Sequence, residues 1–206
     1  MPGDGIGPEQ IQVTLKVLER LREASALSFE FVKVEAGDSC KRKHGSALPE
    51  DAIRVLDTTD ACLKGPVGET AYDVIVKLRQ VFDLYANLRP CRAYPTVKCL
   101  DPNTDLILVR ENTEDLYKGL EFDLADSAVA LRLTTGSACR RIASKAFRIA
   151  EVRNKKRLVT AVHKANVLRK TCGLFARNCQ QEAKLHPEIE FEEMYVDAAS
   201  MKLVRQ

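Results

Sequence analysis

The chain has no Cys-x-x-Cys pair, no apolar run of membrane length and no excess of one charge sign. Each absence closes a class of function. The seven cysteines, at 40, 62, 91, 99, 139, 172 and 179, are odd in number and scattered. That argues against a disulfide framework and against a zinc site, and it fits a reducing, cytoplasmic setting. A membrane-spanning helix needs about 20 apolar residues, and no run comes near that. No basic stretch followed by an apolar one precedes the first helical pattern, so no secretory signal is read. Net charge is only +3, from 32 basic and 29 acidic residues. The two short basic clusters, Lys41-Arg-Lys-His44 and Arg153-Asn-Lys-Lys-Arg157, read as solvated turns, so neither nucleic acid nor membrane is an expected partner. No internal repeat and no low-complexity stretch occurs.

What is present is a chain of 206 residues, 45% hydrophobic, enough for one or two domains. Met1-Pro-Gly-Asp-Gly-Ile-Gly-Pro-Glu9 is a glycine-rich turn that feeds a helix, with Pro8 suited to its first turn. Ile11, Leu15, Leu18 and Leu21 continue the helical spacing to about residue 24. Residues 28–35 alternate as a strand, 49–56 read as a helix, 60–63 as a short strand, and 72–80 as a helix. Strands are expected at 83–89 and 105–109, a hairpin around Ala125-Asp126, and a helix over 137–152. Then come a strand at 157–162, a helix at 171–185, a strand at 189–196 and a last helix from Asp197 to Gln206. Helices alternating with short apolar strands make the fold class α/β. The irregular stretch 94–103, with Pro95 and Pro102, is the best domain boundary. A βα turn such as Gly3–Gly7 should follow a strand, and the last helix has no successor, so the chain reads as incomplete.

The chemistry concentrates in three segments. Residues 163–168, His-Lys-Ala-Asn-Val-Leu, follow the apolar stretch 157–162. A lysine delivered at a strand exit, with Asn166 two residues on, is poorly explained by packing. Near a cleft such a lysine can lose its proton and act as a base. Residues 110–119 read Arg-Glu-Asn-Thr-Glu-Asp-Leu-Tyr-Lys-Gly, and residues 83–90 read Asp-Leu-Tyr-Ala-Asn-Leu-Arg-Pro. Arg79, Arg89 and Arg110 all stand at the ends of elements. Singly each is a surface residue, but together they supply the bidentate forks that a dicarboxylate requires. Tyr117 reads by itself as a packed residue, and Asp197 as a helix-capping one. Glu111, Glu114 and Asp115 are expected to balance arginines. His163 is expected to orient the Lys164 turn, His44 and His186 to lie on the surface, and Cys172 and Cys179 to pack. Gly3-Asp-Gly-Ile-Gly7 lacks the Gly-x-Gly-x-x-Gly spacing of a dinucleotide fingerprint, so a tight turn is the better reading.

Together these segments resemble the β-decarboxylating dehydrogenases of 2-hydroxy acids, the isocitrate/isopropylmalate dehydrogenase family. That family carries the same Pro-Gly-Asp-Gly-Ile-Gly-Pro-Glu segment on a fold that is not of the Rossmann type. The resemblance implies two domains with a cleft between them. Residues 1–95 would be the N-terminal part of the large domain, and 96–206 a small domain with a β-arm and dimerisation helices. It further implies that Arg79, Arg89 and Arg110 hold substrate carboxylates. Tyr117 would be the general acid that protonates carbon after decarboxylation, and Lys164 the base. Asn166 would lie beside NAD, and Asp197 would bind Mg²⁺ or Mn²⁺. Because Lys164 and Asp197 reach a partner's site in this family, a homodimer is implied, with the helices at 171–185 and 197–206 as its interface.

The substrate reading turns on residues 73–79, Asp-Val-Ile-Val-Lys-Leu-Arg. Isocitrate-specific members carry serine and asparagine where this chain has Asp73 and Ile75. An aspartate repels a third carboxylate, and an isoleucine offers apolar contact. The segment is similar to that of archaeal-type isopropylmalate dehydrogenases, so 3-isopropylmalate, as in leucine biosynthesis, is the expected substrate. Isocitrate and homoisocitrate are the alternatives. The family's remaining metal aspartates and its adenosine loop have no counterpart here, which keeps a non-catalytic fragment or regulatory subunit as a further alternative.

Overall fold

The computed structural model describes residues 1–205. It divides into two compact units, Met1–Phe82 and Asp83–Gln206. The boundary read at 95/96 falls inside the connection between two paired strands, which holds 94–103 within the second unit. Gln206, the expected end of the last helix, lies outside the described residues.

The first unit is helical among the described residues: α1 (Gly7–Ala24), α2 (Asp38–His44), α3 (Glu50–Asp57), and a π-helical turn, Tyr72–Val76, that continues as α4 (Lys77–Val81). Val34, Ala36, Ala47, Leu48, Ala52, Leu56, Val74 and Leu78 form its core around the Met1 side chain. The strands expected at 28–35 and 60–63 do not form. Alternation correctly put Phe29 and Phe31 on one face, where their rings stack at 5.9 Å. A strand, however, is defined by a backbone ladder, and nothing described in this unit offers one. α2 occupies the stretch read as a solvated turn. Gly37 (φ 101°) precedes it, and Gly45 (φ 76°) ends it in the left-handed region.

In the second unit, β1 (Ala86–Arg92) pairs antiparallel with β2 (Asp105–Glu111). A 3₁₀ turn, Leu116–Lys118, leads into a hairpin of β3 (Glu121–Leu124) and β4 (Ser127–Ala130), turning at Ala125-Asp126. α5 (Gly136–Arg153) follows, then β5 (Leu158–His163), α6 (Thr171–Ala183), β6 (Glu190–Tyr195) and α7 (Val196–Arg205). β5 and β6 run parallel, from Leu158↔Glu190 to His163↔Tyr195, with α6 as the crossover. α5 starts because the Thr135 hydroxyl accepts from the Ala138 N–H at 3.2 Å, and stops at Asn154, left-handed at φ 44°. Its buried stripe, Ala138, Cys139, Ile142, Ala143 and Phe147, has the expected helical spacing. Phe147 is fully buried, and Ala143, Ala161 and Cys179 pack with Phe175 and Phe191. Cys172 and Cys179 are buried packing residues, as expected. No helix among the described residues is long and apolar enough to cross a membrane.

Candidate active site

The glycine-rich segment in the first unit forms a closed junction. The Asp4 carboxylate accepts from the backbone N–H groups of Asp38 (2.9 Å), Ser39 (3.1 Å) and Gly68 (3.1 Å). Burial pushes the Asp4 pKa up, but these three donors outweigh it, and the carboxyl stays below its ordinary range. Asp38 in turn accepts from Glu69 N–H, Thr70 N–H and the Thr70 hydroxyl. Gly3 adopts φ 75°, and a β-carbon there would meet the Pro66 carbonyl oxygen at 2.0 Å. The turn is therefore a structural knot whose amides and carboxylates serve one another.

Arg79 and Ile75, both half-buried, lie one helical turn apart on the Tyr72–Val81 segment, in the order the substrate reading requires. Asp73 stands 3.7 Å from Lys41, and both are exposed. It lines a surface groove with Lys41, Ser46, Tyr72 and Lys77, and Ile75 is not in that lining. The charge repulsion assigned to Asp73 at the substrate is thus answered locally by Lys41.

The second unit carries the other candidate residues. In the β1–β2 ribbon Asn87 stands opposite Arg110, so Arg89, two residues further along β1, shares their face. Arg89 Nε donates to Asn87 Oδ1 at 3.3 Å. Arg110 donates to the Tyr117 hydroxyl at 3.0 Å, with its guanidinium 5.4 Å from the Tyr117 ring centroid. Tyr117 sits in the 3₁₀ turn, whose entry residue Asp115 is left-handed (φ 65°) and bonds the Leu116 N–H at 2.9 Å. Arg132 pairs with Asp115 at 2.8 Å.

The carboxylates of this motif do mechanical work. Glu111 accepts from Thr113 N–H and its hydroxyl and from Glu114 N–H, folding the chain sharply after β2. Glu114 accepts from Thr135 N–H (2.8 Å) and hydroxyl (2.7 Å), which holds the α5 N-cap. Arg141, which the sequence did not single out, clamps the assembly. Its guanidinium bonds both oxygens of Asp83 at 2.9 and 2.8 Å and the Thr113 hydroxyl at 2.8 Å, and lies 4.5 Å over the Tyr85 ring. The available signal was the pair of consecutive arginines, 140 and 141, on an otherwise amphipathic helix.

β5 delivers His163 and then Lys164. His163 is buried; its Nδ1 accepts from the Ala165 N–H at 3.2 Å and its Nε2 meets Glu193 at 2.9 Å. It orients the turn after the strand, the role read from the sequence. Lys164 Nζ donates to Asp197 Oδ1 at 2.5 Å, across the ends of neighbouring parallel strands. Lys164 also holds the Asp197 carboxyl below its ordinary pKa range. Asn166 is exposed in the turn that follows Lys164.

A hard divalent cation takes about six to eight oxygen ligands, and Asp197 offers one carboxylate that already faces an ammonium. Among the described residues the one grouping of three His, Cys, Asp or Glu ligands lies elsewhere, at Glu151, His186 and Glu188. For a nicotinamide cofactor the described residues offer Asn166 alone, since the backbone of the glycine-rich turn is engaged internally. These residues do not by themselves compose a site for either group.

Comparison with known proteins bears on the same residues. The isocitrate/isopropylmalate dehydrogenase family model matches residues 1–206. The 3-isopropylmalate dehydrogenase of Saccharolobus solfataricus is 50% identical over 206 residues, covering 100% of this chain and 60% of the relative. That of Sulfurisphaera tokodaii is 48% identical over 204 residues, covering 98% and 59%. The crystal structure of isocitrate dehydrogenase from Methylococcus capsulatus superposes with a TM-score of 0.89 at 36% identity, covering 100% of this chain and 62% of that one. The chain thus spans about 60% of the length of the curated relatives it matches. With the family model matched from end to end and the fold reproduced, the chain belongs to the isocitrate/isopropylmalate dehydrogenase family.

Proposed function

We propose that the protein oxidatively decarboxylates a 2-hydroxy acid, 3-isopropylmalate, using NAD and Mg²⁺ or Mn²⁺, as a cytoplasmic homodimer with shared active sites. The observation that carries this reading is the Lys164–Asp197 contact at the exit of two parallel strands. Sequence patterning alone gives no structural reason for that pair.

When bound, NAD would supply the oxidant and the cation Lewis acidity, with Asn166 and Asp197 as this chain's contributions to holding them. The chain's own residues do the rest. Arg79, Arg89 and Arg110 supply guanidinium forks for the substrate carboxylates. Lys164 takes the hydroxyl proton. In the structure its Nζ is bonded to Asp197. Tyr117, whose hydroxyl accepts from Arg110, is the acid that protonates carbon. Ile75 meets the aliphatic branch. The half-exposed Met201, Leu203 and Val204 of α7 and the exposed strands β3 and β4 support a dimer through these elements. α6 buries Cys172, Ala176 and Cys179 inside its own unit and contributes less to that surface.

A turnover panel on the natural protein with 3-isopropylmalate, isocitrate and homoisocitrate tests the proposal. The highest kcat/KM should belong to 3-isopropylmalate. Preference for either tricarboxylate overturns the substrate assignment, and absence of turnover on all three leaves the non-catalytic reading.

A further inference from the structure

The parallel pair β5–β6 has a second polar cluster at the end opposite Lys164 and Asp197. It is built by the last turns of α5 and α6 and by the segment entering β6. His186 Nδ1 lies 2.7 Å from Glu151 Oε1 and 4.0 Å from Glu188 Oε1. The three ligand atoms of Glu151, His186 and Glu188 all fall within 4.8 Å of one another. Nε2, on the other edge of the imidazole, faces Glu182 Oε1 at 3.4 Å. The ring lies flat on the fully buried Phe147, with centroids 4.9 Å apart and planes 10° apart.

We propose that Glu151, His186 and Glu188 bind one transition-metal dication of the zinc class, with Glu182 orienting the histidine. One imidazole nitrogen with two carboxylate oxygens suits zinc or cobalt, whereas magnesium and calcium prefer oxygen throughout. A carboxylate on the far ring nitrogen fixes the tautomer that leaves Nδ1 free to ligate, a recurring feature of metal-bound histidines. Phe147 supports one face of the ring. His186 is 15% exposed and Glu182 12%, while Glu151 and Glu188 are 38% and 44% exposed, so the enclosed histidine is approached from the carboxylate side. Metal–ligand bonds of about 2 Å put neighbouring ligand atoms roughly 3.3 Å apart, so Glu151, at 2.7 Å from the histidine, has to draw back and Glu188, at 4.0 Å, to turn inward. Burial works against a charged His186, but the Glu151 and Glu182 carboxylates outweigh it and raise its pKa. Arg157, 4.0 Å from Glu188, is the cation that faces the cluster. Histidine ligates metal in its neutral form, so affinity rises with pH. The bound ion would tie α5, α6 and the entrance to β6 at one point.

Cobalt(II) is the probe, added to chelator-stripped protein and followed by calorimetry and visible absorption. One ion should bind per chain, without the charge-transfer bands of thiolate ligands, and more weakly at about pH 6 than at about pH 7.5. Glu182→Gln should lower affinity about 10- to 100-fold, the usual cost of an outer-shell partner. Glu188→Gln, at an exposed position, should lower it at least as much, and Glu19→Gln, an exposed carboxylate of α1, should leave it unchanged. Absence of saturable binding, thiolate bands, or affinity unaltered in Glu188→Gln overturns the proposal and leaves a histidine held by glutamates alone. Because Asp197 lies outside the site, failure here does not touch the proposed dehydrogenase reading.

Discussion

At the scale of single residues, the pair Lys164–Asp197 and the position Ile75 carry the proposed chemistry. Lys164→Ala in the natural protein should cost about 10²–10⁴-fold in kcat while substrate binding stays measurable, because removing a general base spares the guanidinium contacts. Wild-type turnover at neutral pH would remove Lys164 from the mechanism. Ile75→Asn should lower kcat/KM for 3-isopropylmalate by roughly 10- to 200-fold, the worth of one lost apolar contact. Asp73→Ser adds little to that change, since Asp73 answers Lys41. A parent enzyme that already favours isocitrate would refute the reading of Ile75. Arg79, Arg89, Arg110, Tyr117 and Lys164 could be singled out because their motifs are contiguous in sequence. His186 was not. Read as a surface residue, it is largely enclosed, and its partners Glu151 and Glu182 come from two different helices. The Phe147 ring closes over it from the core. His186 also sets a pH dependence. Its folded pKa is raised, so its contribution to stability is full below the ordinary value of about 6.5 and is lost as pH rises through the folded value. In chelator, the melting temperature should fall from about pH 6 to about pH 8.5 more in the native protein than in His186→Gln, and parallel pH profiles would count against it.

At the scale of elements, long periodic segments declared themselves. α5 and β5 lie within a residue or so of their expected bounds because their buried stripes are uninterrupted. The extended segments 28–35 and 60–63 carry comparable local patterning, yet patterning states which side chains share a face and says nothing of the neighbour that a ladder requires. α2, seven residues rich in lysine, has no apolar period to read, and its bounds come from two glycines. Among the elements α5 is the most heavily committed. Phe147 is fully buried and meets both the His186 and Phe191 rings. Phe147→Ala should therefore destabilise the second unit by about 3–5 kcal/mol, read as a shift in denaturant midpoint. A loss below 1 kcal/mol would show that neighbouring rings refill the space.

At the scale of the whole molecule, the cysteines report how completely each core closes. Cys40, Cys139, Cys172 and Cys179 are buried, while Cys62, Cys91 and Cys99 are exposed. Burial pushes the Cys139 thiol up to about 11 and the Cys179 thiol up to about 12, so neither supplies thiolate near neutral pH. A chromogenic disulfide reagent should find three fast thiols in the native chain and seven after denaturation, in line with the exposed and buried sets. Prompt reaction of a fourth would mean that one of the cores opens on the timescale of labelling. The strand register has a further consequence for how such a molecule can change over time. His163 faces Tyr195, so Lys164 and Asp197 stand one and two positions past a matched pair. Their meeting is indexed to the ladder, not to the length of chain between them. Insertions and deletions in the crossover can accumulate in a lineage without parting them. A single residue gained or lost inside β6 would carry Asp197 to the opposite face and separate the pair at a stroke.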